Sequence, residues 1–160
     1  MKTKLTIIFV ILGLIVLSPS AFGKKLKQEH IDEYGTKVFN TTKEKMFEIV
    51  KEVLANHEFD IELEKYEKGL IKTKRKDVGT TGVAEHNPYG NQSTAQFRTN
   101  YRQYIVTIEE TEDNKIKVVF TPKFYIGDAD VSEKNIWALK GPAGEIKIWE
   151  GLFNDIEERL

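Results

Sequence analysis

The residues able to do acid–base or nucleophilic chemistry are few and scattered. Histidine, the side chain that most readily moves protons near neutral pH, occurs only at His30, His57 and His86. None of the three has a serine or an acid at a spacing that makes a nucleophile–base pair. Cysteine is absent from all 160 residues, which removes disulfides, thiolate metal sites, cysteine nucleophiles and the lipid-modified cysteine of a lipoprotein. The nucleophile elbow G-x-S-x-G, the P-loop, the dinucleotide-binding glycines and the zinc motif H-E-x-x-H are also missing. Asp128, Asp130 and Ser132 begin like a calcium loop. Glu133, however, stands where the loop needs glycine, and Leu139 stands where it needs a bidentate glutamate. Glu109-Glu110 and Glu157-Glu158 are adjacent pairs that point in different directions and cannot share a substrate. The expectation is a non-enzymatic chain with no catalytic residue, no metal and no cofactor.

Contact is the remaining way to act. Lys72, Lys74 and Lys76 recur at the strand period, and Arg98 and Arg102 do the same with Tyr101 close by. Such a patch suits an anionic envelope component such as a phosphorylated glycolipid, or it is the wet side of a sheet kept soluble by lysines. Two stretches without periodicity, 77–96 and 122–141, carry Tyr89, with Phe97 directly after the first, and Tyr125 and Trp137. Aromatic residues in loops anchor partners, and they also fold back over open sheet faces. Tyr89, Arg98, Arg102, Tyr125 and Trp137 are the candidate contact residues for a ligand or partner.

The elements that must position them follow from the hydrophobic periods. Lys37 to Phe39 forms a short first strand. Thr41 and Glu44 have capping-box spacing, and Met46, Phe47, Val50, Val53 and Leu54 make one apolar stripe, which predicts a helix over 42–56. Phe59, Ile61 and Leu63 alternate with acids, Glu67-Lys68-Gly69 turns, and Leu70 to Lys76 returns, which is a β-hairpin. Residues 98–110 and 116–120 alternate about the turn Glu112-Asp113-Asn114 and form a second hairpin. Pro142 suits a helix start, and Ile146, Trp149, Leu152, Phe153, Ile156 and Leu160 stripe the closing helix. Helices set apart from runs of strands argue for an α+β fold: an antiparallel sheet of two hairpins plus the short first strand, with both helices on one face.

The first residues bear on the compartment. Lys2 and Lys4 precede an apolar run from Leu5 to Leu17, and Ser18-Pro19-Ser20-Ala21-Phe22-Gly23 supplies small residues at alternate positions. That order predicts a signal peptide over 1–23, cleaved near Gly23, and a single domain over 24–160 that opens with a mobile lead-in over 24–34. Roughly 20 apolar residues are needed to cross a bilayer, so retention as an anchor is the lesser alternative and no membrane span is expected after cleavage. Without the two lysines of that segment, 22 basic residues face 25 acidic ones, a formal charge of −3. Neither nucleic acid nor an anionic membrane fits that charge balance.

The run from Thr41 to Lys76 joins Val50-Lys51-Glu52-Val53-Leu54, Phe59-Asp60-Ile61, Tyr66-Glu67-Lys68-Gly69 and Leu70-Ile71-Lys72-Thr73. It resembles the domain of the BamC family of outer-membrane assembly lipoproteins and related periplasmic domains of helix-grip arrangement. The resemblance implies a non-catalytic periplasmic domain working by contact, in outer-membrane assembly or maintenance, with an envelope protein or lipid as partner. It carries over no catalytic residues. This chain departs from the family in having no lipobox cysteine and one such domain instead of two. In a host without an outer membrane the same signal means secretion. The alternative from another class is a carrier holding a lipid or other hydrophobic ligand between the closing helix and the sheet, against Trp149 and Phe153.

Overall fold

The structure is a computed structural model that describes residues 26–86, 93–133 and 141–160, without the side chains of 83–86, 93–95 and 141–143. The signal peptide expected over 1–23 lies outside the described residues. In chain order the elements are α1 (Gln28–Tyr34), β1 (Thr36–Phe39), α2 (Lys43–Asn56), β2 (Ile61–Lys65), β3 (Leu70–Thr73), β4 (Lys76–His86), β5 (Ser93–Glu110), β6 (Ile116–Ile126), β7 (Ala129–Asp130) and α3 (Gly141–Glu157).

The sheet is antiparallel in the order β1-β6-β5-β3-β2, with β4 also pairing β5 and β7 pairing β6. The fold is α+β, as the periodicity predicts, with three described helices where two were expected. Alternate residues of the two long central strands face the helices: Tyr104, Val106 and Ile108 on β5, and Ile116, Val118, Phe120 and Phe124 on β6. They meet Met46, Phe47, Ile49, Val50, Val53 and Leu54 of α2 and Trp149, Leu152, Phe153 and Ile156 of α3 in a single apolar cluster. Rings interlock through it. Phe59–Tyr104 and Phe120–Phe153 pack edge to face with centroids 5.0 and 5.3 Å apart, and Phe39–Phe153 lie 6.2 Å apart.

Local chemistry fixes the connections. The N-cap of α2 is Thr42, whose hydroxyl accepts from the Lys45 amide at 3.3 Å, one residue later than the capping-box spacing of Thr41 and Glu44 suggests. Glu44 instead accepts a hydrogen bond from the Tyr66 hydroxyl. The β2–β3 turn closes on Gly69 in the left-handed region at φ 57°. A Cβ there would sit 1.9 Å from the Ile108 carbonyl oxygen, so only glycine lets β3 reach β5.

Three expectations are corrected. The lead-in over 24–34 contains α1, a seven-residue helix that buries Ile31. A helix this short has too few turns to show a period and depends on packing, here Gly35 against the Trp149 ring and the Phe120 amide donating to the Gly35 carbonyl at 2.8 Å. The loop expected over 77–96 is mostly strand, because β4 runs Lys76–His86 and β5 begins at Ser93. The connection expected from 122 begins only after Ile126. Pro122 pairs with Tyr104 of β5 on a stretch of β6 that β1, ending at Thr36↔Val119, does not reach, so the missing N–H breaks no ladder. Among the described residues no helix is long and apolar enough to cross a membrane.

Candidate functional site

Strands β3 and β4 share one edge of β5. Leu70–Lys72 pair with 105–107, Lys76–His86 pair with 93–102, and Lys74-Arg75 bridge the two segments. At the break, the Thr73 hydroxyl accepts from the Tyr104 amide at 2.9 Å and stands in for the missing ladder bond. On its other edge β5 is paired by β6 only from Asn100, opposite Ile126, onward, with a last bond from the Gly127 amide to the Thr99 carbonyl at 2.8 Å. Residues 80–86 and 93–99 therefore form a two-stranded ribbon that runs past the rest of the sheet for about 20 Å. Phe97 lies on it opposite Gly82 and is 78% exposed, the most exposed large apolar side chain among those described. Arg98, opposite Thr81, shares this ribbon and is exposed.

A second cluster lies where the helix-free face of the sheet meets β2 and the β3–β4 junction. Gln103 is only 3% exposed there. Its amide nitrogen donates to Glu62 at 3.0 Å and to the Thr73 carbonyl at 2.7 Å, and its oxygen accepts from the Tyr125 hydroxyl at 3.2 Å. The Arg75 guanidinium stacks 3.8 Å from the centre of the Tyr125 ring and stands 3.6 Å from Asp128. Lys72, Lys74 and Lys76 do not form a common cationic patch. They pair in turn with Glu62, Asp60 and Glu58 at 3.0, 3.4 and 2.8 Å, and Lys76 also reaches the His57 carbonyl at 2.8 Å. Each lysine is thus matched by an acid, so an anionic ligand would meet little net positive charge.

Arg102 faces the other way, into the core. Its Nε stands 3.1 Å from Glu145 Oε2 on α3, with side chains 9% and 1% exposed. The N–H does not point along that contact, which makes it a Coulombic pair without a hydrogen bond. The Tyr104 hydroxyl donates to the other Glu145 oxygen. Burial raises the Glu145 carboxyl above its usual range, while Arg102 and Tyr104 oppose the rise. Burial, reinforced by the Glu145 charge, raises the Tyr104 phenol well above its usual value. Asn100, two residues before Arg102, donates to the Thr81 hydroxyl at 2.7 Å and leaves its own oxygen buried without a partner. This polar row ties the first half of α3 to β5.

Two of the three histidines, His57 and His30, are used structurally. His57 Nε2 lies 2.9 Å from Asp155 Oδ2 and links the ends of α2 and α3. His30 Nδ1 accepts from the Lys27 amide at 2.9 Å, at the start of α1. Among the described residues no group of three histidines or acids is placed to hold a metal ion.

Of the candidate contact residues, Tyr89 and Trp137 lie outside the described residues. Arg98 lies on the ribbon, Tyr125 is half-buried under Arg75, and Arg102 is inside the core, so the structure does not gather these three into one site. Arg75, Gln103 and Glu145 were not singled out from sequence, and Phe97 was noted only as a loop aromatic. The parity of Asn100, Arg102 and Tyr104, polar residues in register with the apolar face of β5, was the available sign of a buried polar row.

No family model matches the chain. No curated protein matches it either. Among solved structures it is similar to a DUF4468 family protein from Bacteroides ovatus ATCC 8483, with 12% sequence identity and a TM-score of 0.41 over 78% of this chain and 83% of that one.

Proposed function

We propose that this chain is a non-enzymatic, exported module of the cell envelope that acts by contact, with the ribbon of β4 and β5 as its contact surface. The observation that carries the reading is the ribbon itself. A two-stranded ribbon is marginal in water without a further strand or an apolar layer against it, yet among the described residues this one runs past the flanking strands with Phe97 exposed. Export rests on the basic and apolar order of residues 2–23, and work in outer-membrane assembly or maintenance rests on the BamC-like resemblance. The structural use of His30 and His57 weighs against catalysis. A carrier would need space between α3 and the sheet, where Trp149 and Phe153 are instead packed among Phe39, Phe120 and Gly35.

The test is cross-linking in cells followed by affinity purification of the exported chain, with proteins and lipids identified together. The reading expects a protein partner whose recovery drops when Phe97 becomes Ser. Recovery of a stoichiometric lipid and no protein would put the carrier first.

A further inference from the structure

The open edge of the ribbon has a definite hydrogen-bonding parity. The Thr99 carbonyl points away from β4, toward Gly127. In an antiparallel ladder both groups of a residue point the same way and alternate along the strand, so the N–H and C=O of Phe97 and Ala95 also point away from β4. Among the described residues nothing pairs with them. The segment from Ser93 to Phe97 contains no proline and no charge, the usual devices that keep an edge from pairing.

We propose that this edge is filled by a second copy of the chain, the two β5 strands pairing antiparallel about a twofold axis at Gln96 to join the ribbons into a four-stranded sheet. This rests on the reading of the ribbon as the contact surface. An isologous pair of sheet edges relates the copies by an axis normal to the sheet, so opposed residues must share parity. Because Thr99 is already bonded to Gly127, the free stretch is centred near Gln96. That register opposes Ala95 to Phe97 of the other copy, twice, and each such pair exchanges both backbone hydrogen bonds.

The same register explains the composition. Phe97 would be flanked in its cross-strand row by Gly82 of its own copy and Ala95 of the other, positions too small to compete with the ring. The two Phe97 rings become diagonal neighbours on one face, about 7–8 Å apart at the backbone and within reach of each other. On the opposite face, Arg98 of one copy falls in the same row as Thr94 and then Glu85 of the other, because Glu85 pairs with Thr94. Arginine and glutamate are then two strands, roughly 10 Å, apart at the backbone, and the charges are complementary at both ends of the interface.

Gln96 sits opposite itself in a non-hydrogen-bonded pair, with Cα atoms about 4.5 Å apart, inside the span a disulfide accepts. The chain has no cysteine of its own, so Gln96→Cys is a clean reporter. The full exported chain is examined by sedimentation over about a hundredfold range of concentration, since a dimer must follow mass action. Oxidation of Gln96→Cys is run beside Glu109→Cys, an exposed position on the far half of β5. The expected results are a reversible dimer, rapid disulfide cross-linking at 96 and not at 109, and dimerisation weakened about tenfold or more by Phe97→Lys. A chain that stays monomeric, or a dimer that Phe97→Lys leaves intact and that cross-links no faster at 96 than at 109, overturns the pairing. If the chain is monomeric yet the ribbon captures a different protein in cells, the second copy is overturned and the contact reading survives. If Phe97→Lys changes neither association nor capture, both fail.

Discussion

Replacing Arg102 with Met leaves the Glu145 carboxylate inside the core with the Tyr104 hydroxyl as its remaining partner. Removing one member of a buried ion pair costs about 3–5 kcal/mol because the other charge is stranded. With side chains 9% and 1% exposed, little solvent screening is available to soften that. For a domain of this size the loss lowers the thermal midpoint by roughly 10–20 °C. The deficit also has a sign with pH. Burial already raises the folded Glu145 carboxyl above its ordinary 4.5, and loss of Arg102 raises it further. A raised carboxyl binds a proton in the folded state that the unfolded chain has released. Its contribution is therefore present below pH 4.5 and lost as pH rises through the folded value, at no more than about 1.4 kcal/mol per pH unit. Urea unfolding at pH 5 and pH 8, followed by tryptophan fluorescence, should show the Arg102→Met deficit growing toward the higher pH. Combining Arg102→Met with Tyr104→Phe and Glu145→Leu leaves no stranded partner among these three residues and should return the chain to within about 2 kcal/mol of the parent. A single-variant deficit under about 1 kcal/mol, or one that shrinks as pH rises, would falsify the account of this cluster.

Other expectations follow from the same packing. Gly69→Ala combines a left-handed backbone with a Cβ placed 1.9 Å from the Ile108 carbonyl and should cost about 2–4 kcal/mol by thermal denaturation. A loss below 1 kcal/mol would mean that β3 can leave β5 freely. Phe97→Ser should change folding stability by no more than about 0.5 kcal/mol in urea, because its ring is exposed, so any loss of partner binding is a loss of contact. The Tyr66 hydroxyl, bonded to Glu44, is pushed up to about 12. Ultraviolet titration of Glu44→Gln should bring one tyrosine back toward 10, and an unchanged curve would refute that bond. The Asp130 carboxyl is held below its usual range by the Ser132 hydroxyl and amide, so Ser132→Ala should move its carbon chemical-shift titration upward.

Much of the fold was legible because its core strands and helices have one buried face each. Met46 to Leu54, Tyr104 to Ile108, Ile116 to Phe120 and Trp149 to Ile156 all repeat at their proper periods. The ribbon was not legible for the converse reason. From Thr80 onward β4 is paired by β5 alone, with no buried residue over 80–82 to impose an apolar alternation, and Gly79 and Gly82 read as loop residues. Pro122 read as a strand end because the sequence does not show that β1 stops at Val119. The site suffered from a related ambiguity. Arg102 looks like a surface cation until α3 brings Glu145 onto it, a partner 43 positions away. The lysines 72, 74 and 76 look like a patch until the acids at 62, 60 and 58 are set opposite them. The prominence of Phe97 depends on where β6 ends, which no local pattern encodes.

The contact reading is tested most directly by placing a photo-cross-linking amino acid at position 97 of the full chain in its native cells, with the same group at position 109 as reference. The account predicts protein adducts at 97, among them a second copy of the chain, and none of comparable yield at 109. Equal or absent adducts at the two positions would contradict it.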